Sequence, residues 1–189
     1  IVTLPHGWLI PNDSLKQSNN RKTRGDSELP EDVPVLCCFN SAHKIEPGVF
    51  ALWIHILERV DNAVLWFRLD DEAFTNLRST ALKLGIDPER LLNAPRIAKK
   101  SDHLARLSCA DLFLDTPIFN AHSTAFDALW AGVPLIAVQG DTFQSRVTAS
   151  IMKSTGLDDL VVESMADYVE KVVELCVSPG MLSAVKDRL

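Results

Sequence analysis

Short apolar runs alternate with amphipathic stretches from residue 34 to the end of the chain. Val35-Leu36-Cys37-Cys38-Phe39 is too short for a helix and apolar on both faces, which predicts a buried strand. Pro47 suits a helix first turn, and Phe50, Trp53, Ile54 and Leu57 follow at helical spacing. Val64-Leu65-Trp66-Phe67 predicts a second strand. Glu72 to Leu84 predicts a helix with Gly85 as its C-terminal cap. Arg90 to Asn93 is a weaker strand, and Asp102 to Cys109 a short helix. Leu112-Phe113-Leu114 is another buried strand, followed by a loop to His122 and a helix from about Thr124 to Trp130. Gly132 and Pro134 stop that helix. Leu135–Val138 and Leu160–Val162 are further strands. Helices follow near Thr142–Thr155, from the Ser164 cap to Cys176, and from Pro179.

Strands apolar on both faces need helices on both sides. The alternation therefore predicts an α/β fold with an open, doubly wound, Rossmann-like parallel sheet. In such sheets ligands lie beyond the carboxyl ends of the strands. No internal repeat interrupts the pattern. Residues 1–32 are different: a short apolar lead-in broken by Pro5, Gly7 and Pro11, then a polar linker or exposed loop from Ser14 to Asp32. The expected boundaries are a lead-in over 1–32 and one domain over 33–189. The chain starts at Ile1, so a piece of a longer protein is expected.

Composition narrows the partners. The 189 residues carry a formal net charge of -6, which speaks against a nucleic-acid or membrane surface. Any anion site must be local. No apolar stretch approaches the length of a membrane span. Cys37, Cys38, Cys109 and Cys176 form no CxxC pair and no zinc spacing, so they read as reduced thiols of a cytoplasmic protein. Trp53, Trp66 and Trp130 are core candidates, and His55 is read as a structural helix residue.

Three loops hold candidate chemistry. Residues 115–127 place Ser123 and Thr124 at a helix start, where unpaired N–H groups and the helix dipole favour a phosphate. Asp127 lies one turn on and could accept ribose hydroxyls. Alone, Thr124-x-x-Asp127 reads more simply as a capping box, with Thr124 as N-cap. Lys44, in Asn40-Ser41-Ala42-His43-Lys44, could reach a diphosphate, or be an ordinary solvated lysine. His103 and Arg106 share a helix face and could hold a flat base, or form a basic surface.

Together these strings resemble the O-linked N-acetylglucosamine transferase family. They are FNSAHKI (39–45), AVLWFRL (63–69), LDTPIFNAHSTAFDALWAGVPL (114–135) and GDTFQSRVTAS (140–150). The resemblance covers roughly residues 33–189, with Leu4-Pro5-His6 as a further candidate match, and is closer to bacterial members than to the animal enzyme. It implies the C-terminal, donor-binding lobe of a two-lobed GT-B glycosyltransferase. The family moves N-acetylglucosamine from UDP-GlcNAc to protein Ser or Thr hydroxyls, with inversion and without a metal or other cofactor.

The resemblance also implies roles. Lys44 would stabilise the diphosphate leaving group. His122, Ser123 and Thr124 would meet the phosphates, and Asp127 the ribose. Ala98 would offer backbone contacts to the base, with Lys100 nearby, His103 stacked on uracil and Arg106 in support. Ser41 stands where animal members have Gln, which weakens one phosphate contact. The protein acceptor would be brought by an N-terminal lobe with helical repeats, so this stretch alone is expected to bind donor without transferring sugar. Two alternatives stay open: a GDP-fucose-dependent fucosyltransferase of the SPINDLY type, and a non-catalytic nucleotide-binding or interaction module.

Overall fold

The computed structural model describes residues 22–189. The linker expectation for 14–21, and Leu4-Pro5-His6, lie outside the described residues. Six strands occur among them: β1 (Val35–Cys38), β2 (Val64–Phe67), β3 (Leu91–Asn93), β4 (Leu112–Leu114), β5 (Leu135–Val138) and β6 (Val161–Val162). The sheet order is β3-β2-β1-β4-β5-β6 and every pairing is parallel. This is the doubly wound order, and its direction reverses between β1 and β4. Val35–Cys38, Val64–Phe67 and Leu135–Val138 are buried along their whole length. Cys37 and Cys38 thus fill opposite faces of one strand, and all four cysteines are free thiols.

Among the described residues seven α-helices accompany the sheet: α1 (Pro47–Arg59), α2 (Asp71–Lys83), α3 (Lys100–Leu107), α4 (Ser123–Trp130), α5 (Val147–Ser154), α6 (Met165–Val177) and α7 (Pro179–Lys186). α1 packs on α6, which also contacts α7, while α4 contacts both α3 and α5. Across the α1–α6 contact the buried Trp53 indole donates to the Tyr168 hydroxyl at 3.1 Å. The helix stops follow the sequence signals. Gly85 and Gly132 sit at φ +85° and +74°, where a side chain would be strained.

Some expectations change. Trp130 is not core: it is 41% exposed, because its place on α4 turns it outward. His55 is also at the surface, 3.0 Å from Glu58. The polar segment ahead of β1 is folded down where it is described. Leu29 enters the core, and Arg24 donates to the carbonyls of Pro30, Glu31, Val33 and Cys109 and pairs with Asp111. The helix expected near Thr142–Thr155 begins only at Val147, because Thr142 and Ser145 bond each other in the preceding turn. Among the described residues no helix is long and apolar enough to cross a membrane.

Candidate nucleotide site at the sheet switch point

Two neighbouring strands, β1 and β4, send their following loops to the same edge of the sheet, at the point where the order reverses. Lys44 closes a short turn after β1. Its Nζ donates to the Asn120 carbonyl at 2.7 Å and lies 4.0 Å from the Phe119 ring centre, so it is not a solvated surface lysine. Partial burial holds its pKa below the ordinary lysine value, opposed by the Asp115 carboxylate nearby. His122 packs beside Phe119, with centroids 5.2 Å apart. Its Nε2 lies 3.4 Å from the Gln144 carbonyl, and burial lowers its pKa.

The start of α4 differs from a capping box. The N-cap is His122, at φ 48° and ψ -116°, and no side chain caps the helix. Ser123 and Thr124 are therefore the first two helical residues, and Asp127 lies too far along to occupy the third. The Thr124 and Ala125 amides already donate to the Ala121 and His122 carbonyls. The helix start thus presents two hydroxyls and the Ser123 amide, fewer amides than a bare helix end offers. A positive φ at a non-glycine residue is strained by about 1–3 kcal/mol and needs its surroundings to hold it.

One turn along α4, Asp127 reaches α3. Its carboxylate forms an ion pair with Lys100 and lies 4.0 Å from His103 Nε2. The α3 pair is not a basic surface. His103 is 9% and Arg106 4% exposed, and Arg106 donates to the Pro95 carbonyl. The guanidinium carbon lies 5.5 Å from the Phe39 ring and 5.8 Å from the Trp66 ring. Burial first, then the charges of Arg106, Lys100 and Arg68, pushes His103 down to about 4, so its ring is neutral at pH 7. Burial also lowers Arg106 to about 10. Ala98 and Ser41 are exposed on the flanking loops. Lys44 and His122 thus lie beside the start of α4, with Ser123 and Thr124 as its first residues, while Asp127 one turn on meets Lys100 and His103 of α3, with Arg106 buried behind them. Among the described residues no three His, Cys, Asp or Glu side chains cluster as metal ligands would.

Between the loops after β1 and β4 lies a buried polar group that the motifs did not single out. Asp115, 1% exposed, accepts from the Thr116 and Ala121 amides at 2.8 Å each and from Asn40 Nδ2 at 3.3 Å. Asn120 is fixed by Thr116 and by the Thr148 amide. Arg68, at the end of β2, donates to the Phe39 carbonyl and adds positive charge beside His103. A legible signal exists: Asn40 and Asp115 are polar residues just after apolar strands that pair with each other.

A parallel sheet of this order, with polar loops after its two central strands, defines a Rossmann-like α/β lobe. The sequence matches Glycosyl transferase family 41 over residues 12–189, and the chain belongs to that family. It is 35% identical over its whole length to a protein of Arabidopsis thaliana named as a probable UDP-N-acetylglucosamine–peptide N-acetylglucosaminyltransferase SEC, covering 20% of that relative. It is 35% identical over 89% of its length to the Caenorhabditis elegans UDP-N-acetylglucosamine–peptide N-acetylglucosaminyltransferase, covering 14% of it. In structure it resembles a Thermobaculum terrenum O-GlcNAc transferase mutant, with a TM-score of 0.81 and 26% identity over 94% of this chain and 33% of that one. The two eukaryotic relatives are more similar in sequence than this bacterial structure, whereas the motif strings alone point to bacterial members. The chain thus spans about a fifth or less of these curated relatives and a third of the solved chain. Its fold is that of part of a GT-B glycosyltransferase.

Proposed function

We propose that this chain binds the nucleotide end of UDP-N-acetylglucosamine. In the full-length protein, that donor would glycosylate Ser or Thr hydroxyls of a protein acceptor. The observation that carries this reading is that one helix, α4, has Lys44 tied to the turn before its start and Asp127, paired with Lys100 and near His103, one turn along. A diphosphate at the start of α4 meets one cation, two hydroxyls and a helix N-terminus. As the sugar leaves, charge grows on the diphosphate, and those fixed donors stabilise it more than they stabilise the bound donor. Lys44 is the catalytic residue in this scheme, and no step needs a metal. One turn along, the neutral His103 ring offers a face to a base, and Asp127 can accept from ribose hydroxyls once Lys100 shares it.

The acceptor-binding lobe, helical repeats and cytoplasmic location belong to the same proposal, which rests for them on the family. Transfer by residues 1–189 alone is not expected. Calorimetric titration with UDP, GDP, UDP-GlcNAc and GDP-fucose tests the reading. Binding of the uridine nucleotides in preference to the guanosine ones is expected. A preference for GDP and GDP-fucose would overturn the assigned donor, and binding of none would overturn the site.

A further inference from the structure

The loop that carries the phosphate end is closed on its own first residue. Asp115 Oδ1 accepts the amide of Thr116, its neighbour, and the amide of Ala121, six residues later. It also accepts Asn40 Nδ2 from the loop after β1. Asn40 Nδ2 donates to the Thr116 hydroxyl as well, at 2.8 Å, and that hydroxyl donates to the Phe119 carbonyl. One carboxylate oxygen thus joins the β1 loop to both ends of the turn over residues 116–121. The residue straight after that turn is His122, at φ 48° and ψ -116°, and then α4 begins. Lys44 is tied to the same turn at Asn120.

We infer that the ionised Asp115 carboxylate is a positioning residue for the diphosphate end: it holds the 116–121 turn closed, and thereby keeps His122 in its strained conformation with the α4 start and Lys44 in register. The inference rests on the donor-site reading above. A carboxylate accepts amide hydrogens more strongly than a neutral carbonyl does, so the charge tightens the turn. Asp115 Oδ2 is buried without a hydrogen-bond partner, as are Asn40 Oδ1 and the Thr148 hydroxyl. The Thr148 hydroxyl lies near enough to favour the charged form without forming a hydrogen bond of ordinary geometry. The other groups facing Asp115 are Cys38 of β1, Lys44 of the following turn and Tyr168 of α6, whose hydroxyl donates to the Asp115 carbonyl. Burial raises Asp115 to about 6, so the carboxylate protonates just below neutral pH.

The test is calorimetric binding of UDP-GlcNAc and of uridine to the full chain and to Asp115→Asn between about pH 5 and about pH 8. The diphosphate diester of UDP-GlcNAc keeps its charge across that range. Asp115→Asn should bind UDP-GlcNAc about tenfold more weakly at the upper pH, with the gap closing towards the lower one and uridine binding preserved. Thr148→Val, a milder change, should move the pH at which affinity falls upward, because a group favouring the charged form is gone. Equal affinities and pH profiles for the wild type and Asp115→Asn overturn the inference. So do equal losses for UDP-GlcNAc and uridine, which would mark Asp115 as structural only. An unmoved midpoint in Thr148→Val also counts against it. A wild-type chain that binds no uridine nucleotide overturns the donor-site reading itself, an outcome distinct from these three.

Discussion

Lys44, at the end of the first βα turn, donates to the carbonyl of Asn120, 76 residues away, at 2.7 Å. This bond joins the loops after β1 and β4, the two strands at the switch point. It also places the ammonium group beside the α4 start, so that one anion can meet both. In the proposed site a charge there would act on a phosphate and would have nothing to hold in a nucleoside.

Lys44→Met keeps most of the apolar stem and deletes the charge. UDP affinity should fall by about tenfold to a hundredfold, the loss of one charge-assisted contact, while uridine affinity hardly changes. Wild-type UDP binding should weaken with ionic strength, and less so in the variant. Calorimetry with both ligands at two salt concentrations reads this directly. Equal losses for both ligands would place Lys44 elsewhere than at the phosphates.

The buried Asp115 carboxylate bears on stability in the opposite sense to its proposed role in binding. Its native pKa of about 6 lies above the value of about 3.9 for an unfolded aspartate. The native state therefore binds more protons between those two values, and stability falls as pH rises through that window. The loss by pH 7 is about 2–3 kcal/mol. Asp115→Asn removes this titration. Denaturant unfolding from about pH 4 to about pH 7 should show the variant gaining on the wild type as pH rises. A constant difference across the window would show that Asp115 stays ionised throughout.

At the other edge of the sheet, Arg24 and Lys186 both pair with Asp111, whose carboxylate also accepts the Val35 amide. Burial opposes the Asp111 charge, but Lys186, the Val35 amide and Arg24 together hold its pKa below the usual aspartate value. Its contribution to stability is present above the unfolded pKa and is lost as pH falls through the folded one. Arg24→Ala also strips donors from four backbone carbonyls. It should lower unfolding free energy by about 2 kcal/mol, measured by chemical denaturation, and leave UDP binding unchanged.

Much of this architecture is legible in the chain. Four-residue apolar runs such as Val64–Phe67 and Leu135–Val138 are too short for helices and read as strands covered on both faces, and their alternation with amphipathic stretches predicts the parallel pairing observed. The polar loops that follow β1 and β4 mark the candidate site. Tertiary detail was harder to read. Thr124-x-x-Asp127 fits a capping box by spacing, yet the N-cap falls at His122, two residues earlier, and leaves Asp127 to reach α3. The Asp115–Asn40 contact spans 75 residues and exists only because β1 and β4 are neighbours. Trp130 looks like core from its apolar surroundings, but a helix has an outer face as well.

Asp127 offers the sharpest contrast with Lys44. It lies a turn beyond the start of α4, against Lys100 and His103 of α3. A carboxylate there would meet the ribose, which UDP and uridine share. Asp127→Ala should therefore weaken both ligands by a similar factor, about 1.5–3 kcal/mol for a charge-assisted contact. Stability should change little. No side chain caps α4, so no cap is lost, and the Lys100 side chain is 43% exposed, so solvent partly screens the ion pair, which is worth about 1 kcal/mol. Thermal unfolding and calorimetry on one preparation separate the possibilities. A large drop in melting temperature with unchanged ligand affinity would make Asp127 a structural residue. A loss confined to UDP would move it to the phosphates and undo the assignment of the two ends of the proposed site.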